Sequence, residues 1–120
     1  MSENNKILLV DDEYDIALAF SLGLQSNGFS VDMFTNPIEA LSNLKVNFYN
    51  LALLDIKMPE MDGIELAQKI KDKDEKIKIC FITAFDLNYQ RVKEYSKCLI
   101  KKPISIDDLI KKIKVEMDGN

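Results

Sequence analysis

Leu51-Ala52-Leu53-Leu54-Asp55-Ile56-Lys57-Met58-Pro59-Glu60-Met61-Asp62-Gly63 is the stretch whose reading decides the fold of this chain. Its first four residues are all apolar, the pattern of a strand buried on both faces, and such strands belong to parallel sheets covered by helices. Asp55 closes the run and puts a carboxylate where the core meets solvent. Pro59 and the Asp62-Gly63 pair then punctuate a loop before the next helix. An acid held on a rigid strand end is either a structural cap or a reactive group, and the rest of the chain decides between these.

Outward from this stretch, strand and helix patterns alternate five times. Residues 6–10 (KILLV) read as a short apolar strand. A helix is expected over 14–27, with Ile16, Ala19, Phe20 and Leu24 near one face and Gly28 as its stop. Residues 29–34 alternate as a half-buried edge strand would. Asn36-Pro37-Ile38-Glu39 opens a second helix, with Asn as N-cap and Pro in the first turn, running to about Lys45. The strand ending at Asp55 follows. A third helix starts at Asp62-Gly63-Ile64-Glu65 with Ile64, Ala67 and Ile70 facing inward. Residues 77–83 form a fourth strand, 86–96 a weaker helix pattern around Leu87, Val92 and Tyr95, and 98–101 a short fifth strand. Ser105-Ile106-Asp107-Asp108 is a capping box, and it opens a last helix with Ile106, Leu109, Ile110 and Ile113 inside. This (βα)₅ alternation predicts one α/β domain over 1–120, a doubly wound five-stranded parallel sheet with helices on both faces, because parallel strands need crossover connections.

Composition narrows the function. A chain of 120 residues with 47% hydrophobic content buries roughly two-thirds of its unfolded surface, enough for a real core. No apolar stretch approaches the roughly 20 residues that span a bilayer, and the N-terminus lacks the features of a signal peptide; the expectation is a cytoplasmic protein without membrane contact. The net charge of −4 argues against this domain gripping nucleic acid by itself. The lysines between Lys69 and Lys78 alternate with Asp72, Asp74 and Glu75 and read as a solvated helix end. The chain has no histidine, which removes Ser-His and Cys-His dyads. Its two cysteines, Cys80 and Cys98, read as buried hydrophobes. Cys80 lies three residues before Thr83 and Cys98 four before Lys102. If those two side chains point alike, strand alternation puts the thiols on opposite faces, and no disulfide is expected.

In open α/β sheets ligands bind beyond the carboxyl ends of the strands. There this chain places Asp11-Asp12-Glu13 after strand one, Asp55 after strand three, Thr83-Ala84 at the end of strand four and Lys102-Pro103 after strand five. Clustered carboxylates repel unless a cation joins them. Mg²⁺ takes oxygen ligands, usually one or two carboxylates plus a phosphate. Lysine supplies a mobile positive charge, threonine a donor, and Asp55 a nucleophile. Phosphoryl transfer asks mainly for positioning and charge neutralisation, so these parts suffice without a histidine.

Four segments, Ile7-Leu8-Leu9-Val10-Asp11-Asp12-Glu13, Leu54 to Gly63, Thr83-Ala84 and Lys102-Pro103, together resemble the receiver domain of two-component response regulators over essentially the whole chain. The resemblance implies a flavodoxin-like (CheY-like) sheet of order 2-1-3-4-5, which would put the alternating strand at an edge. It implies Asp55 as phospho-acceptor, Asp12 as a direct ligand of Mg²⁺ (or Mn²⁺), and Asp11 as a helper through water or by pairing with Lys102. The Lys57 backbone carbonyl would be a further metal ligand, Thr83 and Lys102 would contact phosphoryl oxygens, and a cis peptide would precede Pro103. It implies a sensor histidine kinase or phosphotransfer domain as donor, docking chiefly on the first helix. It also implies a downstream effector protein, with the face of helix 86–96, strand five and the last helix available for a homodimer. The expected role is a phosphorylation switch, not an enzyme beyond gaining and losing its own phosphoryl group. The residues after Pro103 suffice for one helix, so the unit would stand alone or form part of a larger regulator.

Two positions depart from the family. Leu99 stands where many receivers carry an aromatic three residues before the lysine, and the stretch from Thr83 to Lys102 is short. Lys57 and Phe85 match positions that flank the acyl phosphate, and Phe85 would shield it from water. The rivals are a degenerate receiver serving as a constitutive interaction module and a small Mg²⁺-dependent phosphatase with an Asp nucleophile. Such phosphatases carry a second acid where this chain has Lys57.

Overall fold

The computed structural model describes residues 5–84 and 92–118. Five parallel strands, β1 (Lys6–Val10), β2 (Ser30–Phe34), β3 (Leu51–Asp55), β4 (Lys78–Thr83) and β5 (Cys98–Lys101), form one sheet of order β2-β1-β3-β4-β5. The helices among the described residues are α1 (Tyr14–Ser26), α2 (Pro37–Ser42), α3 (Gly63–Lys73) and α4 (Ile106–Asp118). The chain thus adopts the doubly wound fold expected of it, with the alternating strand β2 at an edge and the apolar β1, β3 and β4 inside.

Alternation along the strands splits the core in two. Leu8, Val10, Ala52, Leu54, Ile79 and Phe81 point to one face and pack with Ala40, Ile64, Ala67 and Ile70. Ile7, Leu9, Leu51, Leu53, Cys80 and Ile82 point to the other and pack with Phe20, Leu24, Leu109 and Ile113. Every residue of β3 is buried, so Asp55 ends a strand that solvent does not reach from either side.

Local signals set the helix ends. The Asn36 side chain accepts from the Ile38 and Glu39 amides at 2.8 and 3.0 Å, Asp62 from Glu65 at 2.8 Å, and Ser105 Oγ from Asp108 at 3.1 Å. Each satisfies a donor that the first helical turn leaves open. Gly28 follows α1 at φ +93°, a conformation that favours glycine. Two readings need correction. The second helix ends at Ser42, not near Lys45: Asn43 caps it, its side chain donating to the Glu39 carbonyl at 2.8 Å. On α1 it is Ala17, not Ala19, that faces the core, beside Phe20, Ser21 and Leu24, the i, i+3, i+4, i+7 set of a helical face. The helix expected over 86–96 lies largely outside the described residues, as does Phe85.

The cysteine expectation is overturned. Cys80 and Cys98 are joined by a disulfide with Cα atoms 4.7 Å apart. The register explains the error: Thr83 pairs with Lys101, not Lys102, and Cys80 lies directly opposite Cys98. The two sulfurs therefore share a face. Leu99, opposite Phe81, packs on the other side of the sheet.

Candidate functional site

At the carboxyl edge of the sheet, β1 gives way to Asp11 and Asp12, β3 ends in Asp55, β4 ends in Thr83, and β5 leads into Lys102. The β1–β2 ladder extends to the Asp11 amide, which donates to the Phe34 carbonyl at 3.1 Å. The β3–β4 ladder extends likewise through the Ile56 amide to the Ile82 carbonyl at 3.1 Å. Backbone pairing thus fixes the acids from both sides. Ligand oxygens of Asp11, Asp12 and Asp55 all lie within 4.8 Å of one another. Asp11, Asp55 and Thr83 are buried and Asp12 half-buried.

Lys102 enters this cluster. Lys102 Nζ stands 2.8 Å from Asp11 Oδ2, 3.1 Å from Glu13 Oε1 and 3.6 Å from Asp55 Oδ2. The Lys102 amide donates to the Thr83 carbonyl at 2.8 Å, tying the start of the lysine's backbone to the end of β4. The Lys102–Pro103 peptide is cis, as the family resemblance implied.

The charges do not balance. Among the described residues, the Lys102 ammonium lies beside two of the three carboxylates, Asp11 and Asp55, with Glu13 competing for it from the surface. Burial pushes the Asp55 carboxyl up from 3.8 to about 7, the Asp11 charge adds to the rise, Lys102 opposes it, and Asp12 raises it further. Burial alone would lower the Lys102 ammonium, but the close Asp11 contact and charge, then Asp55 and Glu13, outweigh it and hold Lys102 above its usual value. Among the described residues no hydrogen-bond donor is aligned to the buried Asp11 Oδ2, so its contact with Lys102 is ionic. A set of oxygen-only donors, two buried and one half-buried, with clustered negative charge fits a hard divalent cation.

The loop after β3 is held close to the acids. The Gly63 amide donates to the Ile56 carbonyl at 2.8 Å, and Met61 to Pro59 at 2.8 Å. Asn36 Nδ2 reaches Glu60 Oε1 at 3.0 Å, joining this loop to the one before α2. A Cβ on Gly63 would collide with the Asp55 carbonyl and the Ile56 backbone. Lys57 is exposed within the loop, and Lys101 is exposed at the end of β5.

The structure therefore brings together Asp11, Asp12, Asp55 and Lys102, with Thr83 joined to Lys102 through the backbone. Reading the sequence missed Glu13 as a second anchor of Lys102; its place two residues after Asp11, just ahead of α1, was the available signal. Asp62 serves as the N-cap of α3.

The profile of the response regulator receiver domain matches residues 7–114. The response regulator receiver protein CpdR of Brucella abortus is 36% identical over 111 residues, covering 90% of this chain and 92% of the relative. A CheY-like receiver domain from Methanospirillum hungatei superposes with a TM-score of 0.87 at 32% identity, covering 95% of this chain and 94% of the other. The response regulator TrrA of Thermotoga maritima, solved in complex with Mg²⁺ and BeF, superposes with a TM-score of 0.78 at 32% identity, covering 92% and 96%. Match, fold and the acids at the strand ends agree: the chain belongs to the receiver domain family of two-component response regulators.

Proposed function

We propose that Asp55 accepts a phosphoryl group from the phosphohistidine of a sensor kinase or phosphotransfer domain. The observation that carries this reading is the cluster itself: three acidic ligand oxygens within 4.8 Å of one another, with the Lys102 ammonium 3.6 Å from Asp55, at the carboxyl edge of a parallel sheet. An Asp55 carboxylate oxygen attacks phosphorus. The P–N bond to the donor imidazole breaks, and its electron pair stays on that nitrogen. Lys102 turns from Asp11 and Asp55 toward a phosphoryl oxygen, and the Thr83 hydroxyl donates to another. Asp11, Asp12, Asp55 and the Lys57 carbonyl would hold Mg²⁺, or Mn²⁺ in its place, which when bound neutralises charge on the carboxylates and on the incoming phosphoryl group. The Mg²⁺–BeF complex of TrrA supports that choice of ion. Hydrolysis of the acyl phosphate, with water attacking phosphorus, returns the Asp55 carboxylate and releases inorganic phosphate.

The donor's docking face is α1. Tyr14, Leu18 and Leu22 are exposed along it, and an apolar groove beside Lys102 is lined by Ile16, Phe20, Pro103 and Ile104. Residues 1–120 act as one receiver unit in the cytoplasm, alone or within a larger regulator, and relay the signal to an effector protein. Among the described residues no helix is long and apolar enough to cross a membrane.

The test is incubation with Mg²⁺ and a small acyl phosphate, read by intact mass. One added phosphoryl group is expected, absent in Asp55→Asn and absent when a chelator removes the metal. Continuous turnover of phosphate esters would instead identify a phosphatase, and no adduct would leave a degenerate interaction module.

A further inference from the structure

We propose that Cys80 and Cys98 form a thiol–disulfide exchange site for small anionic thiols, a second chemical input beside phosphorylation. The two residues are directly opposed on β4 and β5 and bonded through sulfur. They differ in access. Cys80 is fully buried, paired with Leu53 on its other side. Cys98 is half-buried and sits on the edge strand. It lines a surface groove with Lys97, Lys111, Lys112, Val115 and Glu116. Three lysines against one glutamate make that groove electropositive, and all three lysines are exposed. A positive cleft raises the local concentration of anions and their encounter rate. The sulfur that a thiolate can reach is therefore Cys98 Sγ, and the thiolate the approach favours carries an additional negative charge.

The exchange runs in two displacements. A thiolate attacks Cys98 Sγ from the groove. The Sγ–Sγ bond breaks, and the electron pair leaves on the Cys80 sulfur, which takes a proton because its apolar surroundings disfavour the anion. A second thiolate attacks the small-molecule sulfur of the mixed disulfide, releasing Cys98 as a thiol and forming the symmetrical small disulfide. Two electrons pass to the protein, and the same small disulfide drives the reverse reaction. Where the surroundings are reducing, protein disulfides are mostly of this reversible, sensing kind. The bond closes a chain segment across 18 positions, so its opening should lower the melting temperature by roughly 10 °C.

The experiment opens the disulfide of the full chain under native conditions with mercaptoethanesulfonate or with mercaptoethanol at equal thiolate concentration. Free thiols are counted by alkylation and mass. The sulfonate is expected to act roughly three- to tenfold faster at low salt. The advantage should vanish at high salt and in the Lys97→Gln, Lys111→Gln, Lys112→Gln variant. Equal rates for the two thiols, or opening only in denaturant, would overturn the proposal. So would free thiols persisting after exposure to the oxidised small disulfide.

Discussion

At Asp55 two demands conflict. As the proposed phospho-acceptor it must be ionised, yet it sits at the end of a fully buried strand beside Asp11 and Asp12, and its carboxyl is pushed up to about 7. The folded state therefore binds a proton there that the unfolded chain releases near 3.8. Between these values stability falls as pH rises, and above about 7 the cost is fully present; below the unfolded value it is gone. Asp55→Asn removes that cost. In the metal-free domain the variant is expected to be more stable than the wild type by about 1–2 kcal/mol at pH 8, after allowing for solvent screening and for the lost Lys102 attraction. The gap should narrow at pH 5. Mg²⁺ should narrow it at pH 8 as well, because a cation among the carboxylates stabilises their ionised form in the wild type. Urea melts of both proteins at the two pH values, with and without Mg²⁺, measure this. A variant no more stable than the wild type at pH 8 would mean that burial does not tax Asp55.

At the level of elements, the turn from β3 into α3 does most to define the site, and Gly63 is its tightest point. In the sequence Asp62-Gly63 reads as a turn pair. In the structure Gly63 is the first residue of α3, and what it supplies is space: any Cβ would meet the backbone of Asp55 and Ile56. Backbone cannot step aside as a side chain can, so Gly63→Ala should cost about 2–3 kcal/mol. It should also slow phosphoryl uptake at Asp55, because the loop that must move carries Lys57. Thermal melts and the acyl-phosphate assay read the two effects, and a variant matching wild type in both would refute the close packing. What was legible from sequence follows the same line. Apolar runs, caps and strand-end acids are local signals, and they delivered all five strands, the caps at Asn36, Asp62 and Ser105, and the cluster of Asp11, Asp12, Asp55 and Lys102. Register is not local. Pairing Thr83 with Lys101 rather than Lys102 is a one-residue matter that period-two alternation turns into a change of face, and the disulfide went unforeseen for that reason.

Across the whole molecule, the site and the disulfide hang on the same two strands. β4 carries Cys80 and ends in Thr83; β5 carries Cys98 and leads into Lys102. β5 is a four-residue edge strand, paired on one side only by β4, and Ile100 is its one fully buried residue. Its hold on the sheet includes a few ladder hydrogen bonds, the Ile100 and Leu99 side chains and the disulfide. Lys102 puts its ammonium 2.8 Å from Asp11 and 3.6 Å from Asp55, and its amide is anchored to the Thr83 carbonyl at 2.8 Å. Loosening β5 should therefore broaden the positions of the Lys102 ammonium, and catalytic positioning is sensitive to shifts of an ångström or less. Phosphoryl uptake by the reduced protein is expected to be roughly two- to tenfold slower than by the oxidised protein, while Asp55→Asn takes up nothing in either state. The comparison needs only the mass assay, run on oxidised protein and on protein reduced under inert gas. Equal rates would show that the ladder alone holds Lys102 in place. A slower rate on reduction would mean that the chain reads thiol chemistry and phosphoryl chemistry through one pair of strands, with the position of Lys102 as the quantity both inputs set.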